Sequence, residues 1–196
     1  MSEMLLEILG IVGALLFLVG DLPYFIDTLT GKTQPQRVTW GVVFILNSIA
    51  LANQIAVGAT NSLWLFIAAV VATGAIFLAS IKNGVGGHSK SDVFALVASL
   101  FGIALWVTFD SPLMSILANL FVGIVSIQPT FAKARKNPES ETRISWLLAT
   151  ISALMVTVSV GEINFEQQIL PFSAAILQGY MVYLLYFRPN HTSATK

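Results

Sequence analysis

One carboxylate lies inside a long apolar stretch near the start of the chain. Asp21 follows Gly20 and precedes Pro23 by two residues, within an apolar run over roughly 4–26. A carboxylate at membrane depth is costly, which makes Asp21 a candidate for carrying a proton beside a proline-broken helix. The alternative is that the helix ends near Asp21 and that water solvates the side chain.

A second set of polar side chains forms a stripe in the next apolar run. Residues spaced by three and four share one face of a helix there: Trp40, Phe44, Asn47, Leu51 and Gln54. Amides that face lipid lack hydrogen-bond partners, so this face is expected to point into the protein. The stripe either lines a substrate path or makes interhelical hydrogen bonds. Further candidates for substrate binding are Thr73, Asn119, Trp146, Phe172 and Gln178.

Two prolines and two tryptophans recur at equivalent places. Pro23 and Pro129 each lie late in an apolar run, where proline removes one backbone hydrogen bond. They are either paired hinges of a gate or ordinary kinks. Trp40 and Trp146 each open the following apolar run, which favours interfacial anchors, with aromatic plates near the mouth of a pathway as the alternative.

These pairs belong to a duplicated segment. Pro23 matches Pro129 and Trp40 matches Trp146, each at an offset of 106 residues and with no gap between the matches. Self-similarity of this length indicates a duplicated structural unit. In a membrane protein it indicates a transporter built from two halves.

The composition is that of a membrane protein. Hydrophobic residues make up 56% of the chain and charged residues 10%, against about 25% charged residues in soluble domains. The lipid bilayer and a small-molecule solute are therefore the predicted partners. Zero net charge gives no indication of nucleic-acid binding, and the chain has no cysteine. We find no catalytic motif or metal-ligand cluster, and predict no enzymatic activity, no cofactor and no metal site.

The spans and their orientation follow from the apolar runs and the basic residues. A transmembrane helix needs roughly 20 apolar residues, and seven runs qualify: roughly 4–26, 38–57, 62–82, 92–109, 112–133, 143–160 and 166–188. With the N-terminus outside, all ten Lys and Arg fall on the inner side, as the positive-inside rule predicts. We expect a multi-pass protein of the cell inner membrane with a cytoplasmic C-terminus. Whether copies associate as a homo-oligomer stays open.

The repeat and the span count together predict the architecture. Three helices bring the chain to the opposite face, so a second copy in the same orientation needs one returning helix, which 92–109 supplies. The predicted fold is an all-α membrane protein with seven transmembrane helices, arranged as 3+1+3 parallel triple-helix-bundle repeats. The predicted units are a first bundle 1–84, a linker helix 85–111, a second bundle 112–190 and a cytoplasmic tail 191–196.

This arrangement resembles the SWEET sugar transporters and the wider PQ-loop superfamily. The segment Ser126–Phe131 is similar to the Ser-Pro-Val-Pro-Thr-Phe stretch of SWEETs, and Pro23-Tyr24 stands where PQ-loop proteins carry their Pro-Gln pair. The chain departs from SWEETs where Pro171 is followed by Phe172 instead of leading to a sugar-binding asparagine. The pattern is closer to an uncharacterised bacterial branch, and the resemblance implies the fold more than sugar specificity.

Two functions from different classes remain. The first is a transporter of a small polar solute, a sugar or a similar molecule, which works by alternating access between the two bundles with Pro23 and Pro129 as hinges. The second is a non-transporting receptor or scaffold on the same fold. A polar pocket lined by both bundles favours the transporter, whereas a pocket that opens to one side favours the receptor.

Overall fold

A computed structural model describes residues 2–86 and 112–187. Between these segments it also describes single residues and pairs: 90, 93–94, 96–97, 100–101, 104 and 108. Most of the predicted span 92–109, and most of the linker 85–111 that contains it, lies outside the described residues. Arg188 and the tail 191–196 also lie outside them.

The described chain is helical and contains no β-strand, which confirms the all-α prediction. In chain order the helices are α1 (Glu3–Leu29), α2 (Arg37–Ala56), α3 (Leu63–Asn83), α4 (Pro112–Ser126), α5 (Gln128–Lys136), α6 (Arg143–Ser159) and α7 (Phe165–Tyr186). A short 3-10 turn, Pro138–Ser140, precedes α6.

Within the described segments, five helical stretches are long and apolar enough to cross a membrane. They are α1, α2, α3, α7 and the stretch Leu113–Lys136, which joins α4 to α5. Helix α6 has 17 residues, or about 26 Å at about 1.5 Å per residue, slightly less than a hydrocarbon core of about 30 Å. Helices long and apolar enough to span a membrane are therefore confirmed, while the count of seven stays a prediction.

Glycines end two of these helices. Gly31 follows the C-cap residue of α1 with φ +77°, and Gly58 follows that of α2 with φ +68°. Glycine adopts this left-handed conformation without a steric penalty, so it stops a helix and turns the chain. The loops predicted at these positions are present.

The helices pack in a connected bundle. Helix α1 packs against α3 and α6, α2 packs against α3 and α4, and α7 packs against α4, α5 and α6. Glycines let α1 approach α6 closely: a Cβ at Gly13 would lie 2.7 Å from Val156 Cγ2, and one at Gly20 would lie 2.8 Å from Leu148 Cβ. These small residues therefore set the spacing between α1 and α6.

The burial pattern is inverted relative to a soluble protein. Large apolar side chains such as Leu15, Val19 and Val71 are exposed on the outside of the bundle, whereas Thr73 and Gln54 are buried inside it. In water such a surface would be an aggregation hazard, but it matches the chemistry of lipid tails.

The loops gather at two ends of the bundle. At one end, Gln34 N donates to Ser140 O at 3.3 Å and Arg37 N donates to Val85 O at 2.9 Å. We call this end, which holds the loops 30–36, 84–86 and 137–142, the basic end, since most of the described Lys and Arg residues cluster there.

The other end holds the loops 57–62 and 160–164. Asn61 Nδ2 donates to Ser159 O at 3.2 Å and joins these loops across the bundle. Glu3, Glu162 and Glu166 lie at this opposite end. The loops 57–62 and 160–164 contain no Lys or Arg, as the positive-inside argument requires for this end.

Candidate functional site

A cavity of about 190 Å³ lies among the helices. Residues of α1, α2, α3, α4, α6 and α7 form its wall, which is mostly apolar. Apart from the aromatic residues, the polar side chains at the wall are Asp21, Thr39, Asn47, Thr73, Asn119, Ser145, Ser173 and Gln178. Pockets for drug-sized ligands measure about 300–1,000 Å³, so this cavity suits a smaller solute.

Six residues predicted to bind substrate lie at the wall: the tryptophans Trp40 and Trp146, and the polar residues Asn47, Thr73, Asn119 and Gln178. Of the polar residues, the first three make hydrogen bonds between helices. Asn47 Nδ2 donates to Thr73 Oγ1 at 3.4 Å, and Asn119 Nδ2 donates to Leu46 O at 2.9 Å. Gln178 Oε1 is buried without a hydrogen-bond partner in the described chain. Gln178 therefore keeps a free acceptor.

Gln54 does not line the cavity, so its assignment to a substrate-facing stripe with Asn47 is wrong. Gln54 is fully buried towards the opposite end, where Nε2 donates to Glu166 O at 3.4 Å and Oε1 accepts from Ser62 Oγ at 3.2 Å. The reason is its place in the last turn of α2, where the chain folds back and Ala59 N donates to Gln54 O.

Phe172 also lies away from the cavity. Its side chain is 47% exposed on the outer surface of the bundle, while the preceding Pro171 is buried and lines the cavity. Successive residues on a helix differ by about 100° in direction, so neighbours face different environments. The placement of Phe172 in the binding site is therefore wrong.

Asp21 lies at the cavity wall and is 7% exposed. Helix α1 continues to Leu29, two turns beyond Asp21, so the interpretation of a solvated helix end is wrong. The Oδ2 atom of Asp21 has no hydrogen-bond partner among the described residues. Its role in proton coupling stays a prediction.

Trp40 and Trp146 form an aromatic cluster with Tyr24 at the basic end of the cavity. The ring centroids lie 4.9 Å apart for Tyr24 and Trp40, 6.3 Å for Tyr24 and Trp146, and 6.4 Å for the two tryptophans. Both indoles are buried between helices, so the interpretation as exposed interfacial anchors is wrong. All three rings line the cavity.

A buried carboxylate backs this aromatic cluster. Glu141 Oε2 accepts a hydrogen bond from Tyr24 OH at 2.9 Å and another from Trp146 Nε1 at 3.1 Å. Lys133 Nζ lies 2.5 Å from Glu141 Oε1, and the Glu141 side chain is 0% exposed. Two charge-assisted hydrogen bonds and one ion pair offset the cost of burying this carboxylate.

The loops at the basic end are tied across the bundle. Thr142 Oγ1 donates to Asp27 Oδ2 at 2.9 Å, and Thr33 Oγ1 lies 2.6 Å from Thr142 Oγ1. Lys133 Nζ donates to the backbone oxygen of Gln34. The loops 30–36 and 137–142 are therefore each held by a helix of the other half of the chain, at the basic end of the cavity.

The opposite end of the cavity is packed by different chemistry. Ala50, Phe66, Ile116 and Leu170 form an apolar cluster there, and neutral side chains supply the hydrogen bonds, including Ser115 Oγ to Asn53 Oδ1 at 2.9 Å. Among the described residues, every ion pair lies at the basic end.

The two prolines differ in local structure. Pro23 lies inside the continuous helix α1, whereas Pro129 lies in the first turn of α5, after the helix breaks at Ile127. Proline is tolerated at the start of a helix because the missing N–H has no intrahelical partner there. The pair is equivalent in sequence but not in backbone geometry, and its role as hinges stays a prediction.

The sequence pattern did not single out three residues of the basic end: Tyr24, Lys133 and Glu141. Tyr24 stands in the Pro23-Tyr24 motif and Lys133 is one of the ten basic residues that gave the orientation, whereas no motif includes Glu141. One available signal was the spacing of Asp21 and Tyr24, which puts both on one face of α1. The pairing of Lys133 with Glu141 depends on how the turn at Pro138 folds back, which spacing alone does not give.

Comparisons of the chain with protein-family models, with curated proteins and with solved structures find no match. The resemblance to SWEET and PQ-loop proteins therefore stays a prediction that rests on the motifs and on the helix count.

Proposed function

We propose that this chain is an integral membrane transporter that moves a small polar solute by alternating access between two triple-helix bundles. The observation that carries the proposal is the cavity. Its wall takes residues from α1, α2 and α3 on one side and from α4, α6 and α7 on the other. A site between two bundles can open to either face when one bundle rocks against the other.

Two hydrogen bonds between the bundles support the proposed parallel repeat. Ser152 Oγ donates to Gly13 O at 2.7 Å, and Asn119 Nδ2 donates to Leu46 O at 2.9 Å. Subtracting the 106-residue offset turns Ser152 into Leu46 and Asn119 into Gly13. One contact is therefore the counterpart of the other, as a two-fold axis along the membrane normal requires.

Two further pairs bring residues against their own counterparts. Trp40 and Trp146 pack at 6.4 Å between ring centroids, and Gln34 N donates to Ser140 O at 3.3 Å. Residues that meet their own counterparts lie beside a two-fold axis. In the proposed architecture this axis passes through the basic end.

In this proposal the basic end faces the cytoplasm, in keeping with the positive-inside rule. The chain crosses the inner membrane seven times, with 92–109 as the returning helix. Opening the basic end separates Tyr24 from Glu141 and Lys133 from the backbone oxygen of Gln34, since these contacts join the two bundles, and water then solvates the Glu141 carboxylate. Pro23 and Pro129 are the proposed hinges, and Asp21 is the proposed site of any proton coupling.

Solute uptake into proteoliposomes tests the proposal. The purified chain is screened for counterflow over sugars, amino acids, vitamins and small amines. Ala174 lines the cavity and Ile176 lies exposed on the same helix, so Ala174→Trp should block the cavity and Ile176→Trp should not. We expect at least one solute to show counterflow that Ala174→Trp abolishes. Uptake by no solute, or uptake that Ala174→Trp leaves unchanged, would contradict transport through this cavity.

A further inference from the structure

The cavity wall carries one negative charge and no positive charge to balance it. Asp21 is the single charged side chain among the residues that line the cavity, and no Lys or Arg is among them. The carboxylate is more than nine-tenths buried, and Oδ2 has no hydrogen-bond partner in the described chain. A buried carboxylate without a counter-charge is strongly unfavourable.

The basic residues nearest in the fold are engaged elsewhere. Lys133 pairs with Glu141 on the far side of the aromatic rings. Arg37 Nε donates to Ser80 O at 3.0 Å, and Arg143 pairs with Glu139 at the surface. On α3, which also packs against α1, Lys82 is exposed in the last turn. Among the residues that the structure describes, Asp21 therefore has no cation across the cavity.

Aromatic side chains line the cavity together with Asp21. Phe17, Asp21 and Tyr24 follow at spacings of four and three, so they share the cavity face of α1. Trp40 and Trp146 pack against Tyr24 and line the same cavity. A cation over the face of Trp or Tyr is attracted by the ring quadrupole, and a carboxylate beside such rings is suited to alkylated ammonium groups.

We infer that the cavity binds a small organic cation, with its ammonium group against Asp21 and its alkyl substituents against Tyr24, Trp40 and Trp146. This inference rests on the proposed function in that it names the solute class of the same cavity. A zwitterion fits less well, because no basic residue at the wall would meet its carboxylate. A hydrated inorganic cation fits less well, because few oxygen atoms lie at this mostly apolar wall.

Calorimetric binding to the purified full-length chain tests the solute class. The probes are choline, its uncharged isostere in which carbon replaces the nitrogen, and glycine betaine as the zwitterion. Sodium chloride serves as the inorganic probe. We expect choline to bind at least about tenfold more tightly than each of the other three, given the energy of a desolvated cation–π contact together with an ion pair. Equal affinity for choline and the uncharged isostere, or a response to sodium that equals that to choline, would overturn the inference.

Variants at Asp21 link the selectivity to the carboxylate. Asp21→Asn removes the charge at nearly constant volume and should weaken choline binding by at least about thirtyfold, while affinity for the uncharged isostere stays within about twofold of the wild type. Asp21→Glu keeps the charge and should bind choline more tightly than Asp21→Asn. Glu7→Gln makes the same kind of change at an exposed site on α1 and should have no effect. Choline binding that survives in Asp21→Asn would overturn the inference, as would loss of binding in Glu7→Gln.

Binding and transport can fail separately. Choline that binds through Asp21 without counterflow would uphold the cation site and contradict transport. Counterflow of a sugar that is blocked by Ala174→Trp and indifferent to Asp21→Asn would uphold transport and overturn the cation site.

Discussion

The two ends of the cavity are packed by opposite kinds of chemistry. At the basic end, the buried Glu141 carboxylate pairs with Lys133 and accepts hydrogen bonds from Tyr24 and Trp146, so the packing depends on an ion pair and directed hydrogen bonds. At the opposite end, the packing depends on an apolar cluster around Phe66 and Ile116. Charged groups regain hydration when they separate, whereas apolar groups lose stabilisation when they meet water. The difference indicates that the basic end is the one that a change in charge can open.

The largest expected effect comes from breaking the buried ion pair. Lys133→Met leaves Glu141 charged and enclosed, and loss of one partner of a buried pair costs about 3–5 kcal/mol. Unfolding by denaturing detergent should show this loss. Lys32→Met is the matched control, because the Lys32 side chain is 76% exposed beside Asp27 at the same end. That change should cost less than about 1 kcal/mol, and equal losses in the two variants would contradict the distinction between buried and exposed pairs.

A smaller loss of stability is expected when a substitution at Gly10 overpacks the opposite end. A Cβ at Gly10 would collide with the backbone oxygen of Asn61, which cannot move as a flexible side chain does. Gly10→Ala should therefore destabilise the folded protein by about 1–3 kcal/mol.

Gly123→Ala provides the control for this substitution. At Gly123 the nearest atom to a new Cβ is Leu46 Cδ1 at 3.9 Å, an ordinary contact. Because alanine favours helix more than glycine does, Gly123→Ala should be neutral or slightly stabilising. The same detergent titration measures both variants, and a stable Gly10→Ala protein would show that the opposite end is loosely packed.

The smallest effect on stability is expected from the two amides of α2. Gln54→Leu removes sealed hydrogen bonds at the opposite end and should cost about 1 kcal/mol without changing solute affinity. Asn47→Leu should have a similarly small effect on stability but abolish solute binding, because Asn47 lies at the cavity wall. Stability is measured by unfolding and affinity by calorimetry. If the Asn47→Leu variant binds solute normally, Asn47 serves only in packing between helices.

The helices were predictable because their causes are local. Apolar runs of about 20 residues specify α1, α2, α3 and α7, and glycines such as Gly31 and Gly58 mark where helices stop. The break at Ile127 was not predicted, since the apolar run is continuous across it. Proline at position 129 was visible, but the same residue type leaves α1 unbroken at Pro23.

The site was predictable only where polarity at membrane depth is itself rare. Asp21, Asn47 and Asn119 stood out for that reason and lie at the cavity wall. Gln54 and Phe172 were misplaced, because helical spacing gives a direction around the helix but not the height of the cavity or the packing of its neighbours. Glu141 was missed because a carboxylate in a loop becomes buried and paired with a lysine only through tertiary contacts.

Accessibility of the cavity from the two membrane faces tests the account most directly. The chain has no cysteine, so Ser145→Cys places one thiol at the cavity wall, at a hydroxyl without a hydrogen-bond partner in the described chain. Ile151→Cys, on the exposed apolar side of the same helix, is the control and should react from neither face.

An impermeant thiol reagent is applied to each face of proteoliposomes that hold these variants. Alternating access predicts that Ser145→Cys reacts from both faces, and that adding Lys133→Met raises the rate from the face at the basic end while lowering it from the other. Reaction from one face alone, unchanged by Lys133→Met, would contradict transport and favour a receptor.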